Sequence, residues 1–121
     1  MRRVGSVASK KFRLSAEEIR PIATGRGSCF ASDRITVDGD RVGFMYREES
    51  DNDGDSGWRF LAGTESPEYM NDPENFALYD VNTIANYDGD IVAFLDAPVH
   101  AAFERNPSGS FVPVAFPGDE D

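Results

Sequence analysis

The stretch Val42–Ala62, VGFMYREESDNDGDSGWRFLA, decides how the chain is read, because it alternates, breaks into an acidic insert and alternates again. In an extended backbone Val42, Phe44 and Tyr46 fall on one face and Gly43, Met45 and Arg47 on the other. Trp58 and Phe60 share a face of the segment beyond the insert, and only one face of each segment needs to meet a core. Upstream, Ser28–Val37 is β-rich, and Asp38-Gly39 is a tight-turn dipeptide. The three segments together predict an antiparallel meander over Ser28–Ala62.

Further along, Ser66 can cap a short helix with Pro67 at its first position, where the missing N–H costs nothing. Asp80 can cap a second helix, in which Val81, Ile84 and Ala85 form an apolar stripe. Ile91–Leu95 is a short apolar run that fits either a buried strand or a helical turn. His100–Arg105 and Phe111–Val114, joined by Asn106-Pro-Ser-Gly109, read as a closing hairpin. Near the start, Ser15-Ala-Glu-Glu18 fits a capping box for a short helix that must stop or kink at Pro21. The predicted class is α+β: a small antiparallel sheet, made of the meander and a C-terminal hairpin, with two or three short helices. The expected organisation is a flexible basic tail over residues 1–13, a single domain over 14–116 and an acidic tail over 117–121.

At 121 residues one modest core suffices, and no apolar run approaches the ~20 residues of a membrane span. The first residues are basic but lack the apolar centre of a secretory signal, so a cytoplasmic location is expected. A single cysteine, Cys29, forbids an internal disulfide and excludes a zinc site built on several thiolates. Charge is the strongest bulk signal, with 12 basic against 22 acidic residues. Five of the basic residues (Arg2, Arg3, Lys10, Lys11 and Arg13) precede the first acid, Glu17, so the rest of the chain carries 7 − 22 = −15. Such a field disfavours nucleic acid and speeds encounter with a basic protein. It is equally what solubility or salt adaptation would produce, with two Lys against ten Arg.

No chemical signature is completed. Asp51, Asp53 and Asp55 open like a calcium loop, but the sixth position is Ser56 instead of Gly and the twelfth is Ala62 instead of Glu. Cys29 and His100 would need the fold to bring them together, and carboxylate pairs such as Glu48/Glu49 and Asp88/Asp90 arise readily among 22 acids. No metal, cofactor or catalytic residue is therefore assigned. Recognition chemistry remains: Trp58 and Arg59 sit beside the acidic loop, with Tyr69, Tyr79 and Tyr87 nearby in sequence. The candidate partner-binding set is Glu48, Glu49, Asp51, Asp53, Asp55, Trp58, Arg59 and Tyr69. The competing reading places Trp58, Phe60 and Tyr69 in the core and pairs Arg47 and Arg59 with internal carboxylates.

Six runs give a more specific signal: Gly27-Ser-Cys-Phe-Ala-Ser-Asp33, Val42-Gly-Phe-Met-Tyr-Arg-Glu-Glu49, Asp55-Ser-Gly-Trp-Arg-Phe60, Glu68-Tyr-Met70, Tyr79-Asp-Val-Asn-Thr-Ile-Ala-Asn86 and Ala102-Phe-Glu-Arg105. In this order, from about Gly27 to Val114, they resemble the bacterial family known as domain of unknown function 2185, or immunity protein 33. One departure is Asp88-Gly-Asp90, where that family is expected to carry proline between the acids. The resemblance implies an α+β domain that neutralises a bacterial toxin by binding it, and it brings no catalytic residues. The leading expectation is thus a non-enzymatic module for a basic protein partner, with no nucleic acid, no membrane and an open oligomeric state. A regulatory domain with a small ligand or metal, and a hydrolase using Cys29 or a carboxylate pair, are the alternatives.

Overall fold

A computed structural model describes residues 10–118. Six strands form one mixed sheet: β1 (Ser28–Ser32), β2 (Phe44–Arg47), β3 (Asp55–Leu61), β4 (Phe76–Asp80), β5 (Ala102–Arg105) and β6 (Phe111–Pro113), in the order β4-β1-β3-β2-β5-β6. All neighbours are antiparallel except β1 and β3, the second and third strands of the order, which run parallel.

The α+β class is therefore right, as are the antiparallel β2–β3 pair and the β5–β6 hairpin, but the meander is not. Ser28–Val37 does not continue as a strand. Ser32 accepts a hydrogen bond from the Arg34 N–H, and the chain turns into a one-turn helix, α1 (Asp33–Thr36). Gly39, at φ 84°, turns the chain after this helix instead of closing a β1–β2 hairpin. Strand β1 then pairs with β3 and β4, and β2 bridges β3 and β5.

Local signals fared better where the partner was also local. Ser66 caps α2 (Pro67–Met70) by accepting from the Tyr69 N–H, and Asp80 caps α3 (Val81–Tyr87) by accepting from the Asn82 N–H. Gly89–Phe94 is a 3₁₀ segment, so the apolar run near Ile91 is helical and not a strand. Ser15 and Glu18 bracket a 3₁₀ turn at Ala16–Glu18, where the Ser15 N–H donates to Glu18 Oε1 at 2.8 Å.

Helix α3 and the 3₁₀ segment lie on one face of the sheet. Val81, Ile84, Ala85, Ile91 and Leu95 pack against Cys29, Ala31, Met45, Trp58 and Phe60 to make the core. The Trp58 and Phe60 rings stack with centroids 6.1 Å apart, and the Trp58 indole N–H donates to the Leu95 carbonyl at 3.2 Å. Of the expected basic tail, residues 1–9 lie outside the described residues, whereas Lys10–Arg13 are docked. Lys10 Nζ meets Asp33 Oδ1 at 2.7 Å, Phe12 packs edge-on to Tyr79, and the Arg13 N–H donates to the Thr36 carbonyl. Of the expected acidic tail, residues 119–121 are likewise outside the described residues.

Candidate functional site

The candidate site grows from an irregularity in β3. Three residues of β1, Ser28 to Phe30, span five of β3, Asp55 to Arg59. Gly57 makes this bulge possible: it sits at φ 88°, and a Cβ there would overlap the Glu48 carbonyl oxygen. Ser56 stitches the bulge, its hydroxyl donating to the Ser28 carbonyl at 2.6 Å and accepting from the Trp58 N–H.

The electrostatic result is specific. In a regular strand, residues four apart stand roughly 13 Å apart and cannot pair. Here Arg59 reaches back to Asp55 with two donors, Nη1 to Oδ1 at 3.0 Å and Nη2 to Oδ2 at 2.9 Å. Its Nε donates to Glu48 Oε2 at 2.6 Å, and its guanidinium lies over the Phe30 ring, 5.0 Å from the centroid. The hydrogen bonds from Arg59 hold the Asp55 carboxyl well below the usual carboxylate range, against the opposing effect of burial. The Gly57 N–H adds a further bond to Asp55 Oδ1 at 2.9 Å.

Arg59 also marks which way the sheet faces. Paired strands place Leu78, Phe30, Arg59, Tyr46 and Ala102 in one transverse row, pointing away from α3. A second row runs Leu61, Phe44, Glu104, Val112. Among the described residues no helix covers the centre of this outward face, where Leu78 is 60% exposed and Phe30 42% exposed. Its borders are partly covered. Tyr69 of α2 packs edge-on to Phe76 and lies under the Arg34 guanidinium, while Phe116 packs on Tyr46 and His100. Between these borders, Phe44, Leu61, Gly63, Glu65, Met70 and Glu104 line a groove of about 320 Å³.

The eight residues expected to bind a partner thus separate. Glu49, Asp51 and Asp53 are exposed on the loop, and Glu48 is partly exposed. Asp55 and Arg59 are committed to each other. Tyr69 is half-buried beside α2. Trp58 is 1% exposed, so the core reading holds for it and its ring cannot contact a partner. Arg47, expected to pair with a carboxylate in the same reading, instead donates to the Ser56 and Ala97 carbonyls and lies against Trp58. Phe30 and Leu78 were missed as surface residues. The signal available for Phe30 was its place between the small residues Cys29 and Ala31, which are the ones the core takes.

Other constellations are structural. Asp88 Oδ2 accepts from Arg105 Nη2 at 2.7 Å and from the Val42 N–H at 2.9 Å, tying the Asp88-Gly-Asp90 turn to β5. Cys29 is fully buried, and burial pushes its thiol pKa far up, which disfavours the thiolate a nucleophile needs. His100 is exposed, with its ring 4.7 Å from that of Phe116. Among the described residues, no group of three or more His, Cys, Asp or Glu is placed to hold a metal ion, and no helix is long and apolar enough to cross a membrane.

Over residues 29–115 the chain matches the family model described as the Immunity protein Imm33 domain. No curated protein and no solved structure matches it.

Proposed function

The chain belongs to the Imm33 immunity protein family, and on that premise we propose that it neutralises a bacterial toxin by binding it directly, without chemistry of its own. Family membership across most of the described fold is the observation that carries this reading. The surface supports it. Glu49, Asp51 and Asp53 stand in solvent on one loop of a protein with net charge −10, and such a field accelerates encounter with a basic partner. Asp55 and Arg59 hold the base of that loop instead of offering themselves to the partner.

The test is co-expression with toxin domains of bacterial systems that carry immunity proteins of this family, taken first from genes neighbouring this one where such a domain is found. The chain should restore growth and bind the purified domain with an affinity that falls as salt rises. Glu49→Gln, Asp51→Asn and Asp53→Asn together should slow association about tenfold with little change in dissociation. Asp55 is left out of this set because its loss would disturb Arg59. Toxicity undiminished by the wild-type chain would end the immunity reading, and an unchanged association rate in the triple variant would end the role of the loop.

A further inference from the structure

We infer that the uncovered sheet face is the docking surface, and that it takes a protein surface on which long cationic side chains flank apolar ones. This deepens the immunity reading and rests on it for the partner's identity as a toxin. The face is apolar at its centre, where Phe30 and Leu78 stand side by side on paired strands. It is acidic around them: Asp80, Asp55, Glu48 and Glu104 point outward with the same strand alternation, and among the described strand residues Arg59 is the one cation that does so, with Arg34 at the α2 border. Arg59 is already bonded to Asp55 and Glu48, so it offers little to an anion. Among the described residues Asp80 and Glu104 form no ion pair.

The groove beside this centre has the same character. Phe44, Leu61 and Met70 supply apolar walls, with Glu104 and Glu65 among its lining. Glu65 accepts from the Ala62 and Gly63 N–H groups, which keeps its charge fixed in place. An aliphatic stem against the walls with a cationic head at the carboxylates is the arrangement that arginine and lysine side chains adopt. A second copy of this chain would bring the same acids against themselves, and a phosphate backbone would meet the same repulsion. Because the face is built on strands, its anchors are pre-positioned.

The test uses the toxin domain against which the chain protects. Leu78→Ser and Phe30→Ser should each weaken binding about tenfold, and together about a hundredfold, as expected for anchors at the centre of an interface. Leu78 is 60% exposed, so Leu78→Ser should keep the wild-type melting temperature, whereas Phe30→Ser also removes the ring under Arg59 and should melt a few degrees lower while staying folded. Ile22→Ser removes a side chain that is 49% exposed outside these two outward rows and should leave affinity within about twofold. Glu104→Gln should flatten the salt dependence. Wild-type affinity in the Leu78/Phe30 double variant would overturn the docking face while leaving the immunity reading standing, whereas failure of the wild type to protect would remove that reading alone.

The chemistry of the face is read separately with a hexapeptide of alternating leucine and arginine, followed by amide shifts in ¹⁵N spectra. Shifts should concentrate on β4, β1, β3 and β2 and disappear with the leucine–glutamate counterpart. Shifts confined to α3, or none at millimolar peptide, would overturn the inference. So would a concentration-dependent dimer that Leu78→Ser abolishes, because it would assign the face to a second copy.

Discussion

Arg59→Met tests whether the bulge in β3 is held by its charge cluster. The substitution removes two donors to Asp55 and one to Glu48, together with the guanidinium over Phe30. The two carboxylates are not equivalent. The Glu48 side chain is 43% exposed and regains water, so its share is that of a surface pair, about 0.5 kcal/mol. The Asp55 side chain is only 13% exposed and is left with a charge that lacks its cation, at a cost of about 2–3 kcal/mol. The total is about 3 kcal/mol, a large share of the roughly 5–15 kcal/mol available to a domain. With a urea m-value of about 1.5 kcal/mol/M, the unfolding midpoint should fall by about 2 M. Trp58 is the only tryptophan and lies in the core next to the bulge, so its fluorescence reports the transition directly. The diagnostic comparison is with Asp55→Asn. Placed in the Arg59→Met background, it removes the stranded charge and should restore about 1–2 kcal/mol, which makes the pair strongly non-additive. A midpoint shift below about 0.5 M, or simple additivity of the two substitutions, would refute the assignment of the cluster as the lock on the bulge.

Three further outcomes follow. Because the Asp55 carboxyl is depressed in the folded state, its contribution is present above its ordinary value of 3.8 and is lost as pH falls. Urea stability should therefore be flat between about pH 7 and 5 and decline below about pH 4, with Asp55→Asn removing part of that decline. Asn82 is 8% exposed; its Oδ1 accepts from the Ile22 and Ala23 N–H groups, both at 2.7 Å, and its Nδ2 donates to the Arg20 carbonyl. Asn82→Ala should cost about 2–3 kcal/mol and speed hydrogen exchange at the amides of Ile22 and Ala23, and protected amides in that variant would contradict the staple. Cys29, buried with its thiol held protonated, should react with a thiol reagent only as fast as the domain opens, so labelling should accelerate in parallel with urea destabilisation. Rapid labelling of the native protein would contradict that burial.

The features legible in the sequence are those whose partners lie a few residues away. Ser66 and Asp80 declare helix starts because a capping side chain reaches N–H groups within its own turn. The face shared by Trp58 and Phe60 follows from strand alternation alone. Which strand lies beside which does not. Asp38-Gly39 signals that the chain turns, but nothing in the dipeptide tells a hairpin from the end of a one-turn helix. Nor does alternation reveal which sheet face is covered. That is decided by where α3 lands, and it sends Trp58 inward and Phe30 and Leu78 outward. The acidic loop was visible as composition, whereas the pairing of Asp55 with Arg59 depends on a bulge that only β1 and Gly57 together create.

The parallel contact between β1 and β3 constrains the order in which the protein can assemble. The β2–β3 hairpin closes a short loop and can form early, at little entropic cost. Strand β1 has no hydrogen-bonded neighbour until β3 exists, and its other flank stays open until β4, nearly fifty residues further along the chain, arrives. On the ribosome, β1 emerges first and waits as an unpaired strand carrying Cys29 and Phe30. Pairing across such sequence separation slows folding relative to a simple meander. The β1–β3 contact therefore forms only after the hairpin, and the interval before β4 docks on the free edge of β1 is when the nascent chain is most open to mispairing.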